Sequence, residues 1–81
     1  WRACRVAKSG LEIELKKDTI CSLMAFGKAT KVSMSGTRYE LNSEDLESGT
    51  RGVGNKAVAN EVIINHESGD LLFIWEANAL E

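Results

Sequence analysis

Few side chains in this 81-residue chain are able to do chemistry. His66 is the single histidine, and a serine or cysteine nucleophile would need it close by, together with an acid to orient it. It stands in His66-Glu67-Ser68-Gly69-Asp70, a stretch with the composition of a turn, so it reads as a solvated turn residue. Glu12 and Glu14 share one face of a strand, as paired carboxylates for glycoside hydrolysis would. They alternate with Leu11, Ile13 and Leu15, which makes them the wet side of an ordinary half-buried strand. No second histidine or Cys-x-x-Cys completes a metal ligand set. No catalytic residue, metal or cofactor is therefore assigned, and the chain reads as non-enzymatic.

Gly49-Thr50-Arg51-Gly52-Val53-Gly54-Asn55-Lys56 has glycines for an anion nest and positive charge from Arg51 and Lys56. It lacks the Gly-Lys-Ser/Thr ending of a nucleotide loop and is not set between a parallel strand and a helix. The expectation is a flexible connection, with a partner contact through Arg51 as the sharper alternative. Ten basic against twelve acidic residues, a formal charge of −2, leaves no electrostatic footprint for nucleic acid. The apolar runs Ile20–Phe26 and Leu71–Trp75 are far shorter than the roughly 20 residues of a membrane-spanning helix. The chain opens on Trp1 rather than methionine, which is compatible with secretion, and no function is placed on the closing Leu80-Glu81.

The segment Ser33-Met34-Ser35-Gly36-Thr37-Arg38-Tyr39 resembles the Ser-x-Ser-Gly-x-Arg-Tyr signature of periplasmic or membrane-bound inhibitors of C-type lysozyme. The resemblance implies a small antiparallel β-barrel whose motif loop enters the lysozyme cleft, with Ser35 and Tyr39 at the contact. It covers seven residues, and the family's downstream Phe-Trp strand with its Lys-Gly motif has no counterpart near Gly54-Asn55-Lys56-Ala57. The family's cysteine near the end of the barrel is also missing, since Cys21 lies early in the chain. Without the resemblance, Ser35-Gly36 is a hairpin turn followed by the outer Arg38 and the inner Tyr39.

The elements that must position these residues are strands. Arg2–Ala7, Leu11–Leu15, Thr19–Phe26, Thr30–Met34, Thr37–Leu41, Val58–Asn65 and Leu71–Ala77 carry strand patterns broken by polar or glycine-bearing turns. Local reading joins the first two as a hairpin through Lys8-Ser9-Gly10. It joins the fourth and fifth through Ser35-Gly36 and the last two through residues 66–70. Between 42 and 56 the pattern stops, with one short helical turn at Ser43-Glu44-Asp45-Leu46 and then the glycine-rich stretch. In a meander of the first three strands, Cys4 and Cys21 would flank a common neighbour about 9–10 Å apart, too far for a disulfide. Two buried thiols are the expectation, and a periplasmic or secreted location is favoured only if the two are joined.

These features predict one all-β domain over residues 1–81, with about six antiparallel strands in a small barrel or curled sheet and one long glycine-containing loop. The predicted core is Val6, Leu11, Ile13, Leu15, Ile20, Met24, Phe26, Val32, Met34, Tyr39, Leu41, Val62, Ile64, Leu72 and Ile74. Phe73 and Trp75 then face outward as an exposed aromatic contact. The function expected is a protein-interaction module binding through Ser35, Gly36, Arg38, Tyr39, Arg51 and Trp75. The alternatives are a secreted lysozyme inhibitor and a self-assembling homodimer. Neither nucleic acid nor a membrane span is expected.

Overall fold

The structure is a computed structural model and describes residues 1–48 and 55–76. It contains seven strands and, among the described residues, no helix: β1 (Arg2–Arg5), β2 (Leu11–Glu14), β3 (Ile20–Ser35), β4 (Leu41–Leu46), β5 (Asn55–Lys56), β6 (Glu61–Asn65) and β7 (Ser68–Trp75). All pairings are antiparallel, in the order β1-β7-β3-β6-β2, with β4 and β5 also on β3. The fold is an antiparallel all-β sheet curled into a half-barrel.

The sixteen-residue β3 organises everything else. Its first part pairs with β7 from Cys21↔Trp75 to Phe26↔Asp70, and its last part pairs with β6 from Ser33↔Asn65 to Ser35↔Ile63. Between the two parts the ladder slips, and the chain passes through the left-handed region at Gly27 (φ 77°) and Lys31 (φ 49°). Gly27 takes that conformation without penalty and bends the strand, so that one strand serves both ends of a curled sheet. A polar contact at the bend, Thr30 Oγ1 to Ser68 Oγ at 2.6 Å, and the Glu67 N–H donating to the Thr30 carbonyl at 2.9 Å hold the start of β7 against it.

Several local readings give way to this topology. β1 and β2 do not form a hairpin, because β1 pairs with β7 and β2 with β6. The turn at Lys8-Ser9-Gly10, closed by the Gly10 N–H on the Ala7 carbonyl at 2.9 Å, instead carries the chain from one end of the sheet to the other. Residues 66–67 likewise cross over between β6 and β7, with no described pairing between those two strands. The segments expected as separate strands at Thr19–Phe26 and Thr30–Met34 merge into β3, which begins at Ile20. The partner of its end is Leu41–Leu46, in place of both the expected strand at Thr37–Leu41 and the helical turn at 43–46. The glycines at 49–54 lie outside the described residues.

The core also corrects the alternation at two strands. Cys21, Leu23 and Ala25 point inward, and Ile20 and Phe26 point outward with Met24 half-buried. On β7, Leu71, Phe73 and Trp75 are buried, and Leu72 and Ile74 are half-buried. Leu71–Trp75 is apolar at every position and Ile20–Phe26 at every position but Ser22, so period two gives little phase to read. Their cross-strand register, Leu23↔Phe73 and Cys21↔Trp75, puts one matched set inside. Where polar residues alternate, the reading holds: Leu15, Val32, Met34, Leu41, Val62 and Ile64 are buried, with Leu11 and Ile13 packed against them.

Cys4 and Cys21 are free thiols, Cys21 buried as expected and Cys4 only half-buried. They do flank a common strand, but it is β7, through Cys4↔Phe73 and Cys21↔Trp75. Burial pushes the Cys21 thiol up to about 11.

Candidate functional site

The segment from Gly36 to Glu40, which joins β3 to β4, is laced onto the segment from β5 to Ala59. The Gly36 carbonyl accepts from the Val58 and Ala59 N–H groups at 2.9 and 3.3 Å, and the Arg38 N–H donates to the Lys56 carbonyl at 2.9 Å. A bridge pairs Thr37 with Ala57, both buried. Gly36 is obligatory here. Its φ is 85°, and a Cβ would lie 2.0 Å from the Glu61 carbonyl oxygen, so only glycine lets β6 approach this closely.

Asn55 locks the segment. It is 1% exposed, and its amide is spent on main chain. Its Oδ1 accepts from the Tyr39 and Lys56 N–H groups, each at 3.0 Å, while its Nδ2 donates to the Tyr39 carbonyl at 2.8 Å. The Thr37 hydroxyl donates to that same carbonyl at 3.2 Å. Tyr39 is thus held on both sides of its Cα, yet its ring is largely in water at 61% exposure. The Arg38 guanidinium carbon sits 5.3 Å from the ring centroid, in cation–π range. An exposed aromatic on a pinned backbone is a preorganised platform, because little entropy remains to be lost when a flat ligand stacks on it.

Beside the platform is a groove of about 310 Å³. Met34, Leu41 and Ile63 give it apolar surface, and Ser33, Ser35, Glu40, Asn42 and Asn65 give it polar groups. The Glu40 carboxylate accepts from the Gly36 N–H at 3.1 Å, and the Ser33 hydroxyl from the Ser43 N–H at 3.1 Å. The groove offers hydroxyl, amide and carboxylate groups, with no set of three or more His, Cys, Asp or Glu fit for a metal among the described residues.

Of the residues read from sequence, Ser35 lines the groove, and Gly36, Arg38 and Tyr39 lie on the segment between it and Glu40, with Tyr39 outside rather than in the core. Trp75 does not join them. It is 7% exposed, stacks on Phe73 at 5.7 Å between centroids, and packs beside Cys21, because its face of β7 is the inner one. Arg51 lies outside the described residues. His66 is half-buried at the crossover, where its Nε2 lies 3.3 Å from the Ala7 carbonyl oxygen and donates to it in the Nε2–H tautomer. Glu12 and Glu14 are exposed on the outer face of β2. Asn55 carries no mark in the sequence. Nothing in a polar, glycine-rich stretch marks one asparagine as buried.

Residues 9–71 match the family model described as thiamin pyrophosphokinase, vitamin B1 binding domain. Among solved structures, thiamine pyrophosphokinase from Bacillus subtilis superposes with a TM-score of 0.81 at 17% identity, over 91% of this chain and 36% of its own. Thiamin pyrophosphokinase from Geobacillus thermodenitrificans gives 0.78 at 12% identity, over 96% and 39%. A thiamin pyrophosphokinase family protein from Enterococcus faecalis gives 0.76 at 12%, over 91% and 35%. At these identities the superpositions show the fold, and the chain spans between 35% and 39% of the length of those proteins. No curated protein matches by sequence.

These findings overturn the lysozyme-inhibitor resemblance. Seven residues around a strand end that requires a glycine are a weaker match than 9–71 and a whole superposed sheet. They also replace the free-standing interaction module and the self-assembling homodimer with a vitamin-binding domain, and the family is named for an enzyme, contrary to the non-enzymatic reading. Among the described residues no helix is long and apolar enough to cross a membrane. With more than half of its length matched to one family model, the chain belongs to the thiamin pyrophosphokinase vitamin B1-binding domain family.

Proposed function

We propose that this chain supplies the thiamin-holding surface of a thiamin pyrophosphokinase, with the exposed face of Tyr39 as the platform on which a ring of the vitamin stacks. The match of residues 9–71 to the vitamin B1-binding domain carries the reading. Its support in the geometry is an aromatic ring in water whose main chain is fixed by the buried Asn55. Thiamin has two flat heteroaromatic rings, an aminopyrimidine with hydrogen-bond donors and acceptors and a permanently cationic thiazolium. The groove that begins at Glu40 suits the first through its hydroxyl and amide groups, and the face of Tyr39 suits the second as a cation–π partner.

In a pyrophosphokinase the thiamin hydroxyl oxygen attacks the β-phosphorus of a nucleoside triphosphate. The new O–P bond forms as nucleoside monophosphate leaves, and the hydroxyl proton is released. This domain holds the acceptor in that scheme, and the nucleotide belongs to the remainder of the enzyme.

Calorimetric titration of thiamin into the intact protein tests the reading. Tyr39→Ala is expected to weaken binding by roughly 5- to 150-fold, the equivalent of one aromatic stacking contact. Tyr39→Phe keeps the π-face and stays within about threefold of wild type. Unchanged affinity in Tyr39→Ala refutes the assignment.

A further inference from the structure

We propose that Arg38 is the anion-binding residue of this site: it grips the diphosphate of thiamin diphosphate and so sets the preference between the free vitamin and its phosphorylated form. The inference rests on the thiamin-binding reading above.

Arg38 and a stacked thiamin are in electrostatic conflict. The guanidinium of Arg38 lies over the Tyr39 ring, 5.3 Å from its centroid, where a stacked thiazolium would bring a second positive charge. A cation next to a cationic ligand is unfavourable unless an anion lies between or beside them. Thiamin has no such anion, whereas thiamin diphosphate carries one at the end of a short, flexible ethyl arm on the thiazolium.

The surroundings of Arg38 leave it available for that role. The described ion pairs are Arg5 with Asp70, Lys28 with Asp45 and Lys31 with Glu67, and none involves Arg38. The nearest carboxylate along the chain, Glu40, is turned onto the Gly36 N–H. The root of Arg38 is fixed by its N–H on the Lys56 carbonyl at 2.9 Å, while its side chain is exposed. A guanidinium on a fixed backbone offers a planar fork of donors that pairs with two phosphate oxygens at once, which a lysine cannot do.

The test is the ratio of two dissociation constants, thiamin over thiamin diphosphate, measured by calorimetry on the intact protein. In Arg38→Gln the ratio is expected to fall about tenfold, the size of one charge-assisted contact. Arg38→Lys should fall part of the way, because charge is kept and the fork is lost. Raising the salt from low to high ionic strength should shrink the wild-type ratio and barely move that of Arg38→Gln. Arg38 is exposed, and an unshifted melting temperature confirms that the variants fold. If Arg38→Gln weakens both ligands equally, or neither, the proposal is overturned. If Tyr39→Ala leaves both ligands bound as in wild type, the thiamin-binding reading itself falls. A loss in Tyr39→Ala with no change of ratio in Arg38→Gln leaves that reading standing and removes only this inference.

Discussion

Replacing Asn55 with alanine removes a buried side chain that fastens the Tyr39 segment to β5. Three hydrogen bonds disappear, two from N–H groups at 3.0 Å and one to the Tyr39 carbonyl at 2.8 Å. At about 0.5–1.5 kcal/mol net for each bond, the direct loss is roughly 1.5–4.5 kcal/mol. The Tyr39 carbonyl keeps the Thr37 hydroxyl as a donor, which trims the upper end, while Asn55 is 1% exposed, so water reaches the orphaned N–H groups poorly and the lower end rises. A loss of about 2–4 kcal/mol is expected, a large share of the roughly 5–15 kcal/mol that holds a small domain together. At about 4–8 °C per kcal/mol for a chain of this size, the melting temperature drops by about 8–30 °C. Thermal and urea unfolding followed by circular dichroism read both quantities, and Asn55→Asp separates the terms by keeping the two acceptor bonds and deleting the donor. A loss below about 0.5 kcal/mol in Asn55→Ala, the scale of an unimportant surface change, would refute the claim that this amide holds the platform.

Gly36→Ala combines a φ of 85° with a Cβ placed 2.0 Å from the Glu61 carbonyl oxygen, which is main chain and cannot swing away. A destabilisation of at least about 2 kcal/mol is expected from the left-handed conformation and the clash together, and an unfolding midpoint equal to wild type would contradict it. Cys21 is held neutral by burial, its thiol pushed from 9.0 up to about 11. Because the folded state keeps its proton longer than the unfolded one, this contribution is fully present below about pH 9 and is lost as pH rises towards 11. The loss is on the order of 2 kcal/mol, and Cys21→Ala removes that segment of the pH–stability curve. A curve between pH 8 and 11 with the same slope in both proteins would rule this out. At neutral pH the half-buried Cys4 should react with a thiol reagent well before Cys21 does, and simultaneous labelling of the native protein would argue against it.

The strand character of this chain follows from the residues alone, since Leu11–Leu15 and Val32–Met34 alternate apolar with polar and need no neighbour to say which side is wet. A turn after Ser35 is also legible from Gly36, although the requirement for glycine there comes from the approach of β6. The inward face of Ile20–Phe26 and Leu71–Trp75 was decided only in three dimensions, because each run carries large apolar side chains on both faces and its phase is chosen by the strand lying next to it. The pairing of β1 with β7 and β2 with β6 likewise joins residues more than forty positions apart, and no local turn signal encodes it. The site divides in the same way. Tyr39 and Arg38 stand out by residue type, but the buried Asn55 that fixes them became visible only when β5 was laid against β3, where its amide meets the Tyr39 main chain. Side-chain chemistry is local and can be read in order along the chain, whereas burial and hydrogen-bond partnership belong to pairs of residues that the fold alone brings together.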